Sequence, residues 1–211
     1  MSKDLSPKAK KYRRLMIKPE ANSDGSISSL TKAVTKRSYP PGVHGPKGHP
    51  RLTDFGLHLR EKQKICLIYG IMERQLKKYF KQAMRHKGNT GLKLMEFLER
   101  RLDNVIYRLG LAQSRRQARQ LINHHLFLLN GKKHNIPSYL VKSGDVIEIR
   151  KEKSLQKGPI ADGLKIISKR ELPDWLIWDE KQKKVQVTAL PAEKDLEQGI
   201  DTRLVVEYYS R

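Results

Sequence analysis

LERRLDNVIYRLGLAQSRRQARQLINHHLFLLNGKKHNIPSYLVKSGDVIEIR, residues 98–150, is the stretch whose reading decides the fold. Leu94, Leu98, Leu102, Val105 and Leu109 recur at spacings of three or four, the apolar stripe of a helix that Gly110 closes as a C-terminal cap. Ser114 opens the next helix with Gln117 three residues on, a capping box. Ala118, Leu121 and Ile122 then face inward, while Arg115, Arg116, Arg119 and Gln120 point outward. Phe127–Leu129 reads as a strand, Asn130-Gly131 as a two-residue hairpin turn, and Lys132–Ile136 as the returning strand. Ser143-Gly144-Asp145 makes a further turn before a strand over Val146–Arg150. Helices followed by short strands make an α+β arrangement. Arginines gathered where a helix begins add positive charge to exposed N–H groups, which is how a chain meets phosphate.

The flanking sequence carries the same message. The chain has 211 residues, a formal net charge of +22 and a pI of about 10.1. Such an excess repels itself unless a polyanion neutralises it, and nucleic acid is the polyanion that fits. A membrane is the rival, but no segment approaches the ~20 consecutive apolar residues of a spanning helix. The first residues lack the apolar core of a signal peptide, and Asp4, Glu20 and Asp24 count against a transit peptide. One cysteine, Cys66, excludes an internal disulfide and a cysteine-cluster zinc site, and it points to a reducing compartment.

Residues 1–37 are polar and show no sustained apolar period, so an extended basic arm ordered by its partner is expected there. SYPPGVHGPKGHP, residues 38–50, is neither helix nor central strand. Arg37, Tyr39, His44, Lys47, His49 and Arg51 place stacking and phosphate-binding groups around it. Thr53 and Asp54 are helix-cap candidates. Ile65, Ile68, Met72, Leu76, Tyr79 and Ala83 give a helical period over 53–87, with a break expected near Gly70. The other positions there are cationic, among them Arg60, Lys62, Lys64, Arg74, Lys77, Lys78, Lys81 and Arg85. Like charges on one helix are costly, so these are read as a phosphate-facing surface. His124 and His125 are candidates for base stacking, and Lys132 and Lys133 extend the basic patch past the hairpin turn.

The C-terminal part differs. Residues 151–172 read as a basic connection and a short helix, Trp175–Val187 as two strands about Asp179–Lys184, and Ile200, Leu204, Val205 and Tyr208 as a last helix, with a strand as the alternative. Six Lys+Arg against nine Asp+Glu leave residues 171–211 at −3. Glu193, Asp195, Glu197 and Asp201 suit a basic protein neighbour better than RNA.

RSYPPGVHG, LREKQKICLIYGIMERQ, LERRLDNVIYRLG, SRRQARQLINH, NGKKHNIPSYLVKSGDVIEIR and LVVEYYSR occur in this order from about Lys36 to Arg211. In these segments the chain resembles the family of small-subunit ribosomal protein four. The resemblance implies an α+β protein with an extended basic arm over 1–50 and a helical domain over 51–97, which residues of about 190–211 complete. It implies an RNA-binding domain over 98–165 and C-terminal strands and a helix over 166–211 that pack back on the body. It also implies a structural role in the small ribosomal subunit and binding to the 5′ region of its RNA early in assembly. The implied position is beside proteins three and five, near the channel by which messenger RNA enters, on a cytoplasmic or an organellar ribosome. Many family members hold zinc with four cysteines near the N-terminus. This chain has none there, so neither metal nor cofactor is expected.

No GxGxxG, phosphate-binding loop, metal-ligand set or Cys/His pair appears, and a catalytic role is not expected. Asp103 reads as an ion-pair partner of Arg100 or Arg101, a kind of pair that is worth little if exposed. An RNA-modifying enzyme or synthetase carrying the same small domain is the alternative, but the remaining segments are too short for its catalytic part. A helix-turn-helix DNA-binding regulator is a third reading.

Overall fold

The structure is a computed structural model that describes residues 8–19, 28–48, 51–150, 158–167, 172–180 and 182–210. The described residues form two compact units. One is drawn from residues 1–76 and 200–211, the other from 77–199.

In the first unit the expected arm carries two short helices, although the sequence shows no apolar period there. α1 (Lys8–Leu15) buries Leu15 and has Arg13 and Arg14 at its negative end. α2 (Ser29–Thr35) is capped by Ser28, whose hydroxyl accepts from Thr31 N at 3.0 Å. α1 packs against both α2 and α3 (Asp54–Ile68). Arg13 Nε donates to Tyr39 O at 2.9 Å, with its guanidinium 5.1 Å over the Tyr39 ring, tying α1 to the Pro-rich segment. His49 lies outside the described residues.

Thr53 caps α3 by accepting from Gly56 N. The helical period then breaks at Gly70, which takes φ 60°, and resumes in α4 (Glu73–Ala83). The break rotates the pattern: Tyr69 and Ile71 are buried, and Met72, expected inside, is 55% exposed. The last described helix, α9 (Thr202–Ser210), packs along α3 and buries Val205.

In the second unit the stripe expected to make one helix makes two. α5 (Thr90–Glu99) and α6 (Leu102–Arg108) are separated at Arg101, which is extended (ψ 134°) and bridges Leu140. The break has a cause in hydrogen bonding. Leu102 N and Asp103 N donate to Tyr139 O and Pro137 O, and Val141 N donates to Arg100 O. Gly110 ends α6 at φ 83°. α7 (Arg115–Asn123) follows. Ser114 accepts from Gln117 N, and the Gln117 side chain reaches Gln113 N at 2.8 Å, one residue further back than a capping box.

β1 (Phe127–Leu129), β2 (Lys132–Lys133), β3 (Val146–Ile149), β4 (Leu176–Asp179) and β5 (Lys184–Val187) form an antiparallel sheet in the order β2-β1-β3-β5-β4. Asn130 and Gly131 take φ 51° and 74° at the β1–β2 turn. Asn130 holds it by donating to Asp145 and accepting from Val146 N. The returning strand stops at Lys133, short of Ile136. Phe127, Leu129, Ile147, Val185 and Val187 face one side, and with Leu102, Val105, Ile106, Leu121, Ile122 and Trp175 they form the core. α8 (Pro159–Ile167) closes this core through Ile160 and Ile167. It approaches so closely that a Cβ on Gly163 would lie 2.7 Å from Leu111 Cα.

Candidate nucleic-acid interface

α7 sorts its side chains by helical geometry. Ala118, Leu121 and Ile122 enter the core. Arg116, Gln120 and His124, four residues apart, make an exposed ridge. Arg116 has no hydrogen-bond or ion-pair partner among the described residues. Arg115 and Arg119 form the neighbouring ridge, and the expectation that they point outward needs correction. Arg119 Nε donates to Asp103, and Arg115 donates to Asn104 Oδ1 at 2.7 Å and to Glu197 at 3.0 Å, with its guanidinium 4.5 Å over Tyr107. These arginines fasten α7 to α6, and Arg116 alone of the three is exposed.

The expected pairing of Asp103 with Arg101 is present, and it is buried. Asp103 is 1% exposed, beside Arg101 at 2%, which grips it with two bonds of 3.0 and 2.8 Å and donates a third to Tyr79 OH. Burial opposes the Arg101 charge, but Asp103 and Tyr79 outweigh it and hold its pKa above the usual value. A bidentate carboxylate is the arrangement that makes a buried guanidinium tolerable. Glu99 is similarly buried, held by Asn104 and Arg108. Arg108 also reaches Glu197 at 3.1 Å. Glu197 is therefore an internal counter-charge, 13% exposed at its side chain, and not the free rim charge expected of it. Asp195 accepts from Ala192 N, and Asp201 accepts from Arg203 N. A cavity of about 510 Å³ beside Trp175 is lined by Glu99, Asp174, Asp195 and Glu197 against Arg108 and Lys194, a charge balance that repels phosphate. The sequence gives no sign that Asn104 and Glu197 share Arg115, because 93 positions separate them.

At the hairpin tip Lys132 and Lys133 are exposed, as expected. His125 is half-buried, and its Nδ1 has no partner. Trp175 is core, at 3% exposure.

In the first unit the cations divide again. Arg37, Tyr39, His44, Lys47 and Arg51 are exposed. On α4, Arg74 of the first unit and Lys77, Lys78 and Lys81 of the second are exposed and have no acidic partner among the described residues. On α3 the expected phosphate-facing set is spent internally. Lys62, 7% exposed, lies 2.7 Å from Glu73 and 4.6 Å over the Tyr208 ring. Burial works against its charge, but Glu73 and Tyr208 prevail and its pKa rises. Lys64 pairs with Glu61 at 2.7 Å, and Arg60, 25% exposed at its side chain, contacts Met16 Sδ at 3.8 Å. The like-charge argument fails for α3 because Glu61, Glu73 and Glu207, which pairs with His58, supply the opposite sign. Burial pushes the Cys66 thiol up to about 11, with Glu73 adding to the rise and Lys62 opposing it. Tyr209 is raised by burial and by its bond to Glu73.

No group of three or more His, Cys, Asp or Glu suited to a metal ion occurs among the described residues. The residues do not fit a cysteine-held zinc, since Cys66 is the chain's one cysteine and sits on α3. No described helix is long and apolar enough to cross a membrane.

Comparison with known proteins gives the family. The family description "Ribosomal protein S4/S9 N-terminal domain" matches residues 3–99, and "S4 domain" matches residues 100–147. Similar proteins include one of Citrifermentans bemidjiense, 50% identical over 179 residues, and one of Geobacter sulfurreducens, 48% identical over 179. A third, of Thermodesulfovibrio yellowstonii, is 48% identical over 180 residues. In each case 85% of both chains is covered, and each relative is called "Small ribosomal subunit protein uS4".

Proposed function

Since the chain belongs to the uS4 family of small ribosomal subunit proteins, we propose that it is a structural, non-enzymatic constituent of that subunit which binds its ribosomal RNA. The observation that carries this reading is the sorting of cations. Lys62 and Arg101 meet acids and are buried, whereas many other cations stay exposed, and three groups of these sit on regular elements. These are the α7 ridge beginning at Arg116, the β1–β2 tip with Lys132 and Lys133, and the α4 face with Arg74 and Lys78. Exposed cations fixed on rigid elements read the shape of a folded RNA through its phosphates more than its base sequence.

The finer reading goes further. The protein binds the 5′ domain of small-subunit RNA, nucleates assembly of the subunit body, and lies beside proteins five and three. From there it borders the channel by which messenger RNA enters and contributes to accuracy, on a cytoplasmic ribosome. Four domains serve this: the arm over 1–50, the helical domain over 51–97 with about 190–211, the RNA-binding domain over 98–165, and the C-terminal part over 166–211. The family motifs and the charge difference between residues 1–170 (+25) and 171–211 (−3) support it.

Binding to a transcript of the 5′ domain is the test. If on the order of ten phosphates are neutralised, log K falls against log salt with a slope of roughly −7 to −9. A slope near zero, or no protection of that RNA in footprinting, refutes the reading.

A further inference from the structure

One aromatic surface has no part in the reading above. Phe55 lies in the first turn of α3 and is 51% exposed. Its ring is backed by Tyr208, with centroids 5.8 Å apart and planes at 35°. Tyr208 meets Tyr209 edge-on at 5.2 Å and carries Lys62 Nζ over its face. Tyr209 OH donates to Glu73 at 2.7 Å. Phe55 is thus the outermost of three rings whose inner members are pinned by bonds to the helices. Leu52, 37% exposed, continues the apolar surface.

A lone exposed apolar residue needs no account. A ring braced from behind is different, because it is already ordered and loses little freedom when a flat partner settles on it. The charge of the adjoining sequence selects the partner. Between residues 25 and 60 the sequence holds Lys32, Lys36, Arg37, Lys47, Arg51 and Arg60 against one acid, Asp54. Of these, Arg51 is exposed just before the α3 cap, and Arg60 is partly exposed on the same helix. An aromatic face among cations matches a nucleotide, which brings a π-face and a phosphate together.

We propose that Phe55 is a stacking platform for an unpaired base of the RNA this protein binds, an inference that rests on the ribosomal-RNA reading. The contact is sequence-tolerant and separate from the phosphate contacts of α7 and the hairpin tip.

Phe55→Leu and Phe55→Tyr, titrated in the full chain against a 5′-domain transcript at several salt concentrations, test it. The leucine keeps apolar bulk and removes the π-face, so affinity falls about 5- to 150-fold while the salt slope stays that of the wild type. The tyrosine retains wild-type affinity. Thermal midpoints separate folding from binding, and the half-exposed position predicts little change. Wild-type affinity in the leucine variant overturns the proposal, as does an equal loss in both variants. A leucine variant that binds the transcript normally but fails to enter subunits shows a protein occupant and overturns it too. Loss of salt-dependent binding in the wild type removes the ribosomal-RNA reading itself, a failure distinct from these.

Discussion

Arg116→Ala and Arg119→Ala, three residues apart on one helix, have opposite consequences. Arg119 gives Asp103 one charge-assisted bond, and Arg101 keeps its two when Arg119 is removed. Asp103 therefore stays paired, and the loss is that of a single bond to a charged group, about 1.5–3 kcal/mol. The Arg119 side chain is 23% exposed, which puts the effect toward the lower end of that range. For a chain of this size the thermal midpoint then falls by roughly 4–8 °C, because each kcal/mol moves it by about 2–4 °C. Arg116 is exposed, so its loss leaves the midpoint within about a degree. RNA binding reverses the order. Removing Arg116 lowers affinity and flattens the salt slope by about 0.9, the signature of one lost phosphate contact. Removing Arg119 changes affinity little at temperatures where the protein is folded. Differential scanning calorimetry and filter binding at four salt concentrations measure both. Arg119→Ala flattening the slope with an unchanged midpoint, or Arg116→Ala melting the protein, refutes the division of α7 into a bonding ridge and a ligand ridge.

Leu102, 1% exposed in the core, costs about 2–5 kcal/mol when cut to alanine, visible as a lowered urea midpoint; a loss under 1 kcal/mol contradicts its placement. Gly163→Ala sets a methyl against the Leu111 backbone and lifts α8, destabilising by about 1–3 kcal/mol by thermal melting, and a neutral result means that α8 is not seated as described. Cys66 titrates near 11 in the folded chain against an ordinary 9.0, so at pH 9 its thiolate is roughly fiftyfold scarcer than in the unfolded chain. Iodoacetamide should label it correspondingly slowly until denaturant is added. Because the unfolded state loses that proton first, stability declines as pH rises from about 9 to 11, and equal labelling rates in both states refute the raised thiol.

The sequence made some of this legible and not the rest, for physical reasons. Caps and turns are local: Thr53, Ser114, Gly70, Gly110 and Asn130-Gly131 all perform as their chemistry dictates. Periodicity found the buried positions on α7, since that helix is amphipathic about a single core. It missed the split between α5 and α6, because the stripe runs unbroken through Arg101 and the break depends on carbonyls of Pro137 and Tyr139, more than thirty residues away. The cations were hardest. A lysine or arginine looks the same in sequence whether it faces phosphate or carboxylate. Lys62 meets Glu73 and Tyr208, and Arg115 meets Glu197, only after distant helices dock. Tyr39 was read as a stacking group, and one side of its ring is already engaged by Arg13.

The packing of α9 on α3 sets a timetable for synthesis. α3 is complete at Ile68, and the helix that covers it begins at Thr202. At ~5–20 residues per second the interval is on the order of ten seconds. During it Lys62 and Glu61 emerge without Tyr208 and the Asp201 amide, their partners from the far end of the chain. The half of the protein made first is therefore finished last. Until α9 arrives, a nascent chain of high positive charge presents a half-covered helix to the crowded surface of the ribosome making it. Truncation just before Thr202 should hold the chain in that state, with α3 accessible to protease while the sheet of the second unit is already protected.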